Sequence, residues 1–409
     1  MSDPDGVLKG LKVVDFTHVV AGPFCTRLLA DHGATVVKVE SFEGDLMRRL
    51  QVGFAGDLSS AFAQYNCGKR SIAIDLKRSE GRELARSMCR DADIVVENFS
   101  AGTFGRLVGE YDDLKIQNER LIMCSISAFG QTGVHATLPG FGAVTEAYSG
   151  LMQLAADESG APSHFGTPLA DMNVAIHAFS TIGIALYSRE RTGRGAYIDM
   201  SSFDALVSMI DQALATHSVT RGQGVFPPYS RRHQTVVPSA VVRVSSGEWV
   251  TFGAPSDVFF ARIAKSMGRP ELIEDARFTT NDARVENRDE LYDLIEAWAA
   301  TFPDASTMVD ELTNSGMPAA RVRSYRESAE DEHLIQRGTL SPVDLDGVGE
   351  VLVQTAPHRL SAGSVAPRCG PPHLGEHSIK ILGEQGITGR AAQALIDSRI
   401  VHQWKEDAS

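Results

Sequence analysis

The sequence lacks the short motifs that identify most well-known catalytic folds. Its 409 residues contain no G-x-x-x-x-G-K-[ST] phosphate loop, no H-E-x-x-H zinc motif and no G-x-S-x-G nucleophile elbow. The first turn between a strand and a helix, residues 18–23, also lacks the three-glycine dinucleotide fingerprint. These absences argue against P-loop nucleotidases, zinc proteases, α/β-hydrolases and nicotinamide-dependent dehydrogenases.

Cysteine is scarce, and its spacing excludes two further classes. The five cysteines are an odd number, they are widely separated, and no two of them form a C-x-x-C pair. A disulfide framework and a zinc cluster are therefore not indicated, and we expect no metal site and a reducing compartment. The cysteines are Cys25, Cys67, Cys89, Cys124 and Cys369.

Targeting and membrane signals are also missing from the sequence. The first ten residues, MSDPDGVLKG, carry acids where a signal peptide would carry basic residues. The most apolar segment, residues 172–187, is interrupted by polar side chains and is too short to cross a bilayer. We therefore predict a buried helix there, no membrane partner and a cytoplasmic protein.

The chain has no excess of basic residues. The 39 Lys and Arg face 52 Asp and Glu, which gives a formal charge of −13 and argues against nucleic acid or an anionic membrane as a partner. A local basic pocket for a phosphorylated ligand stays compatible with this charge. The length predicts two or three domains, and 43% hydrophobic with 22% charged residues is typical of a soluble globular enzyme.

The hydrophobic pattern predicts alternating strands and helices, hence an α/β fold with a mostly parallel sheet. In such sheets ligands bind beyond the carboxyl ends of the strands, so the loops after Phe16, Val39, Asp75, Glu97 and Ser127 are the places to search. The predicted strands are 11–16, 35–39, 71–75, 93–97 and 121–127, with helices at 22–32, 79–89 (N-capped by Ser79), 172–189 and 201–216.

A second module follows a stretch rich in glycine and proline at 220–238. Its predicted strands are 241–244 and 249–252, and its predicted helices are 256–267 and 288–301. Beyond Gly316 and Pro318 we predict a strand at 351–354 and a last helix at 378–384.

Several segments together resemble one family. DFTHVVAGP at 15–23 and GATVVKVE at 33–40 resemble the opening of the family III CoA-transferases, which include α-methylacyl-CoA racemases. Further similar segments lie at 66–72, 93–99, 191–195, 281–288 and 374–377, in the family's order. The resemblance implies a Rossmann-like large domain from both chain ends (1–220 and 326–409), a smaller α+β domain (221–325), and an interlocked homodimer.

The resemblance also implies the reaction. Asp171, in the segment 166–172, matches the family's catalytic aspartate. It would attack an acyl-CoA to give a mixed anhydride and then an aspartyl-CoA thioester, from which CoA passes to a second carboxylic acid. An aspartate of ordinary pKa, about 3.9, is ionised at neutral pH and needs no general base. On its residues alone, Asp171 would be interpreted rather as the N-cap of the following helix, and the family context reverses that preference.

The partners implied are an acyl-CoA and a carboxylic acid, with the CoA thioester as substrate and no permanently bound cofactor. Succinyl-CoA is the donor that the family suggests. The residues matching the family's CoA contacts are Val20, Ala21, Ile74, Lys77, Asn98, Phe99 and Arg106.

The sequence departs from the family at the ligand contacts. Ser41 stands where many relatives carry a CoA-binding arginine, and residues 230–234 replace a glycine-rich loop. We predict that Arg232 or His233 neutralises a carboxylate of the acceptor, and that Phe141 lies near the substrate; the alternative for the first two is a solvated linker pair.

Two other functions stay open at this point. A racemase of the same family would need a second proton-transfer group, ordinarily histidine, where this chain has Gly140, Phe141 and Gly142. The other alternative is a CoA-binding subunit of a heteromeric transferase.

Overall fold

The structure is a computed structural model and describes residues 6–50, 54–157, 159–224, 226–228, 231–363 and 365–405. In chain order, its strands are β1 Lys12–Asp15, β2 Thr35–Glu40, β3 Phe54–Ala55, β4 Leu58–Ser59, β5 Arg70–Ile74, β6 Ile94–Glu97, β7 Ile122–Ser127, β8 Ala196–Ser201, β9 Ser239–Arg243, β10 Trp249–Gly253, β11 Ala319–Arg321, β12 Leu340–Leu345, β13 Gly349–Gln354 and β14 Val401–His402.

The helices alternate with these strands in the first half of the chain. They are α1 Ala21–Asp31, α2 Ser60–Asn66, α3 Ser79–Arg90, α4 Thr103–Leu107, α5 Tyr111–Gln117, α6 Gly142–Tyr148, α7 Leu151–Leu154, α8 Leu169–Thr192, α9 Ser202–Val207, α10 Asp211–Val219, α11 Asp257–Ser266, α12 Asn281–Glu286, α13 Arg288–Ala299, α14 Ala305–Asn314, α15 Tyr325–Ala329, α16 Glu332–Gln336, α17 Ser378–Glu384 and α18 Gly389–Asp397. Leu46–Arg49 and Pro270–Ile273 are 3₁₀ helices.

The chain divides into two compact units. The first comprises residues 1–149, 165–209 and 331–409, and the second comprises residues 150–164 and 210–330. The glycine- and proline-rich stretch at 220–238 and the segment 316–318 both lie within the second unit as the structure divides it. The structure assigns residues 150–164 to the second unit, a segment that the sequence pattern gave no reason to separate.

The first unit is built on a seven-stranded sheet of order β14-β5-β2-β1-β6-β7-β8. The pairs between β5 and β8 are parallel, and β14 joins the edge antiparallel to β5. The strand order reverses between β1 and β6, and the loops that leave these two strands diverge there. This is the position at which open α/β sheets bind their ligands.

Successive strand residues face opposite sides of the sheet, which creates two apolar layers. Val13 belongs to the core that α1 and α8 cover, whereas Val14 belongs to the core under α3, α17 and α18. Helices on both faces explain why the strands consist of nearly continuous apolar runs. The predicted α/β class with a mostly parallel sheet is confirmed.

The second unit contains an antiparallel sheet of order β11-β10-β9. Its core joins Val250 and Phe252 of β10 with Phe260 of α11, Ile295 of α13 and Met308 of α14. Antiparallel strands and helices segregated along the chain are typical of an α+β module.

Four local predictions were wrong. Ser79 is the first residue of α3 rather than its N-cap, because Arg78 takes the capping position and the Ser79 hydroxyl donates to Glu80. The helix expected at 201–216 is broken into α9 and α10. His177 and much of the expected buried helix are exposed. Strand β8 was missed, because Tyr197 and Asp199 point outward at the sheet's edge and interrupt the apolar run.

Helix α8 is longer than predicted, with 24 residues. Among the described residues it is the one helix that is long and apolar enough to cross a membrane, judged by length and composition alone, although 33% of its most apolar window is already buried in the fold. Its buried side, with Val174, Ala178 and Ile182, packs into the core with α1. Its other side exposes Ile184 and Tyr187.

Candidate active site

Asp171 lies in the first turn of α8, as its third residue. The N-cap position belongs to Pro168 and carries no side-chain hydrogen bond, so the capping role considered for Asp171 is wrong. Within the described residues no hydrogen-bond donor reaches its carboxylate. The side chain is partly buried and therefore presents a carboxylate that is fixed by its helix yet unpaired.

Burial raises the pKa of Asp171 to about 6, and the negative charge of Glu146 contributes to the same shift. The sequence predicted the pKa of an ordinary aspartate, and the local environment makes that prediction too low. At pH 7 the carboxylate is still mostly ionised, but it is less stable than it would be in water.

Helix α6 brings two residues to Asp171. The carboxylate of Glu146 accepts a hydrogen bond from the backbone N–H of Ala170 at 3.2 Å, and only 4% of the residue is exposed. Gly142 approaches so closely that a Cβ atom there would lie 2.8 Å from Oδ2 of Asp171. The sequence reasoning missed Glu146, since one acid in a short helical segment gives no signal of its own.

Phe141, a predicted substrate residue, is the N-cap of α6 and immediately precedes Gly142. Its side chain is 71% exposed, so it stands free beside the position where Gly142 meets Asp171. A phenylalanine here cannot exchange protons. The titratable groups facing Asp171 among the described residues are Glu146 and Tyr65, whose pKa is raised by burial and by the charge of Asp171.

Val20 and Ala21 open α1 and are both buried. Val20 belongs to an apolar cluster with Leu58 and Phe62, against which Tyr65 and Met172 pack. Met172 follows Asp171 directly in the chain. The first loop of the sheet and the candidate nucleophile are therefore joined through one small apolar cluster.

A cavity of about 560 Å³ opens at the carboxyl ends of β1, β2, β5 and β6, where the sequence pattern placed the ligand. We call it the sheet-end cavity. Its lining includes Ile74, Lys77 and Phe99 from the predicted CoA contacts, together with Ser41. Lys77 is the only lysine or arginine among the described residues that line it.

Four predicted contacts lie elsewhere. Val20 and Ala21 are buried in the core, as described above, and the side chain of Asn98 forms hydrogen bonds with another residue of the chain. The Asn98 side chain accepts from the backbone N–H of His18 at 2.9 Å and donates to the His18 carbonyl at 2.9 Å. Arg106 is exposed, donates to the Thr103 hydroxyl at 2.8 Å, and does not line the cavity.

The loop after β1 is held by side chains from other segments. Lys38 donates to the Thr17 carbonyl at 2.7 Å, and Asp45 accepts from the backbone N–H of Val19 at 3.1 Å. Val19 has a φ of 69°, a left-handed conformation that is unusual for a β-branched residue. Such strain persists only where the surroundings impose it. Here the hydrogen bonds from Lys38 to Thr17 and from Val19 to Asp45 impose it.

Buried ion pairs lie behind this loop. Lys38 pairs with Asp45 at 2.9 Å, and Lys69 pairs with Asp15 at 2.9 Å, with all four side chains almost completely buried. Burial alone would lower the pKa of Lys38, but attraction by Asp45 and Asp15 outweighs it and raises that pKa. The loop that lines this part of the sheet-end cavity is therefore backed by two buried, mutually neutralised ion pairs.

Arg232 and His233 belong to the second unit and are engaged within it. Arg232 forms ion pairs with Glu296 at 2.9 Å and Asp293 at 3.1 Å. Nδ1 of His233 accepts from the backbone N–H groups of Thr235 and Val236 at 3.2 and 3.0 Å. Ser230, in the same predicted loop, lies outside the described residues.

Comparison with known proteins adds an independent finding. The sequence model of a family described as CoA-transferase family III matches residues 8–378. The chain is 32% identical to succinyl-CoA–D-citramalate CoA-transferase of Chloroflexus aurantiacus, over 97% of this chain and 99% of that one. It is 34% identical to succinyl-CoA:mesaconate CoA-transferase of Haloarcula hispanica, over 93% and 97% of the two chains.

A solved structure resembles the whole fold. A CaiB/BaiF family protein from Brucella suis superimposes with a TM-score of 0.81 at 32% sequence identity, covering 93% of this chain and 100% of that one.

Proposed function

The chain belongs to CoA-transferase family III and transfers CoA between acyl-CoA thioesters and carboxylic acids, and we propose that it does so through covalent intermediates on Asp171. The observation that carries this proposal is the carboxylate itself, unpaired, partly buried and held in the first turn of α8.

In the proposed reaction Oδ of Asp171 attacks the thioester carbonyl, the C–S bond breaks, and CoA leaves as a thiolate. The thiolate then attacks the aspartyl carbonyl and expels the donor acid, which leaves Asp171 as a CoA thioester. An acceptor carboxylate reverses the two steps. Covalent catalysis thus divides one exchange between two acids into separate displacements on the same residue.

We propose that the sheet-end cavity binds the nucleotide part of CoA. It lies at the switch point of the sheet and contains Lys77 and Phe99, which suit a phosphate and an adenine ring. We propose that Arg106 contacts the phosphates from the solvent-exposed side. Lys77 and Arg106 would then together replace the arginine that many relatives carry at the position of Ser41. No permanently bound cofactor is needed for these steps.

We propose succinyl-CoA as the donor and a dicarboxylic acid as the acceptor. The two relatives described above carry succinyl-CoA in their names together with a dicarboxylic acid, citramalate or mesaconate. The buried free thiols of Cys25, Cys67, Cys89 and Cys124 fit the proposed cytoplasmic location. The exposed apolar side of α8 fits a homodimer, which light scattering after gel filtration would detect.

The racemase alternative is the weaker proposal. It requires a second proton-transfer group opposite Asp171, and the residue at the matching position is Phe141. Deuterium exchange at the α-carbon of a branched acyl-CoA would favour it.

The test of the proposal is to mix the protein with succinyl-CoA, quench with hydroxylamine and analyse the peptides by mass spectrometry. We expect a hydroxamate on the peptide that contains Asp171 and none in Asp171→Asn. Absence of an adduct, together with deuterium exchange into a branched acyl-CoA, would replace the transferase mechanism by racemisation.

A further inference from the structure

Glu146 is a buried acid to which the reaction above assigns no role, although its carboxylate accepts the backbone N–H of Ala170 at the start of α8. It is 4% exposed, and no cation pairs with it among the described residues. Burying a carboxylate without a cation beside it is unfavourable. A side chain kept under these conditions at the edge of an active site is a candidate for a functional role.

The geometry ties Glu146 to Asp171 through the backbone. Its Oε1 atom accepts from the N–H of Ala170, the residue before Asp171, at 3.2 Å. One turn earlier on α6, Gly142 lies against Oδ2 of Asp171, where a Cβ atom would be only 2.8 Å away. Helix α6 therefore both fixes the first turn of α8 and brings a second carboxylate next to the candidate nucleophile.

The charge on Asp171 changes during the proposed reaction. Free Asp171 is an anion, but after attack on the thioester the new C–O bond makes it a neutral anhydride, and the negative charge leaves on the CoA sulfur. When the thiolate attacks in turn, the C–O bond to the donor acid breaks, and Asp171 remains neutral as a thioester. In both covalent states the anion that Glu146 repels has gone.

We propose that Glu146 is a positioning residue that destabilises the free carboxylate of Asp171 and so shifts the enzyme toward its covalent intermediates. This inference rests on the proposed function. Among the residues that the structure describes, the titratable groups that act on Asp171 are Glu146 from α6, whose negative charge raises the pKa of Asp171, and Tyr65 from α2, whose own pKa is raised. The raised pKa of Asp171 agrees with this arrangement.

Two substitutions separate the charge of Glu146 from its hydrogen bond. Glu146→Gln removes the charge but keeps a carbonyl oxygen for the Ala170 N–H. Glu146→Asp keeps the charge but shortens the side chain that reaches Ala170. If charge is what matters, the aspartate variant resembles the native enzyme and the glutamine variant does not.

The experiment mixes each protein with succinyl-CoA without an acceptor and measures the fraction of Asp171 trapped by hydroxylamine. We expect Glu146→Gln to lower that fraction about three- to tenfold, the equivalent of a half to one pKa unit. The acid limb of kcat/KM should also move to lower pH in Glu146→Gln. A hydrogen-bonding role alone would move neither quantity in this variant.

An unchanged trapped fraction and acid limb in Glu146→Gln, with a normal adduct in the native enzyme, would overturn the inference and leave the proposed function intact. No adduct in the native enzyme would overturn both. If Glu146→Gln does not fold, Glu146→Met, which also removes the charge at similar volume, carries the same expectation, because replacing a buried charge by an apolar group is often tolerated.

Discussion

The two ends of the candidate site treat buried charge in opposite ways. Behind the sheet-end cavity every buried lysine described above has an acid within 2.9 Å, as in the pairs Lys38–Asp45 and Lys69–Asp15. Beside Asp171 the charged neighbour is another acid, Glu146. The paired charges hold a loop in place. The unpaired anion is destabilised, and a reaction that removes its negative charge relieves that destabilisation. The comparison indicates which end is scaffold and which end performs the chemistry.

The strongest test of this contrast removes the unpaired anion. In Asp171→Asn we expect kcat/KM to fall at least about a thousandfold, because the amide cannot form either covalent intermediate. The variant should nevertheless be more stable than the native protein at pH 8. Folding raises the pKa of Asp171, so the folded state holds its proton more tightly and loses stability as pH rises through about 6.

Thermal unfolding at pH 8 and at pH 4 checks the second half of that prediction. The stabilisation by Asp171→Asn should shrink toward pH 4, where the native aspartic acid is itself protonated. Equal stabilisation at both pH values would show that the carboxylate charge is not the cause.

The next test breaks a pair at the scaffold end. Lys38→Met leaves Asp45 as a buried, unpaired carboxylate and should lower the free energy of unfolding by about 3–5 kcal/mol. Lys115→Met is the matched control, since Lys115 pairs with Asp112 at the surface and its removal should lower the free energy of unfolding far less. Urea denaturation measures both, and equal losses would remove the distinction between buried and exposed pairs.

A pH profile of the native enzyme tests the raised pKa of Asp171. Because the pKa of Asp171 is raised to about 6, kcat/KM should fall roughly tenfold per pH unit below that value. Initial rates between pH 4.5 and 8 are sufficient. Because kcat/KM reports the free enzyme, an acid limb centred near pH 4 would contradict the raised pKa of Asp171.

The smallest expected effect is that of replacing Lys77, the basic side chain in the lining of the sheet-end cavity. Lys77 is exposed, so Lys77→Ala should raise the KM for the acyl-CoA only about fivefold and leave kcat unchanged. Steady-state kinetics with Lys115→Ala as control checks this. A fall in kcat would instead place Lys77 in the chemical step.

The sequence predicted the elements that create the site better than it predicted the contacts within it. Apolar runs located β1, β2, β5, β6 and β7, and their order along the chain placed the ligand at their carboxyl ends. Those features follow from periodicity, which is local. The edge strand β8, by contrast, is defined by its pairing with β7, which lies about seventy residues earlier in the chain.

Residue roles were less predictable than residue positions. The contact of Asn98 with CoA stays a prediction, whereas the two hydrogen bonds of its amide with His18 were not predicted, because only the fold brings those residues together. The pKa of Asp171 was expected to be ordinary, because neither burial nor the approach of Glu146 is encoded in spacing. Arg232 likewise finds its partners on α13, more than fifty residues away.

The antiparallel strand β14 has a consequence for biosynthesis. Val401 and His402 pair with Ile74 and Ala73 of β5, so the sheet's edge is closed by residues translated long after its central strands. The ribosome releases the helices and strands of the second unit before this closure can occur. Until then the main-chain groups of β5 on that side lack their native partner, and the nascent chain exposes an open edge.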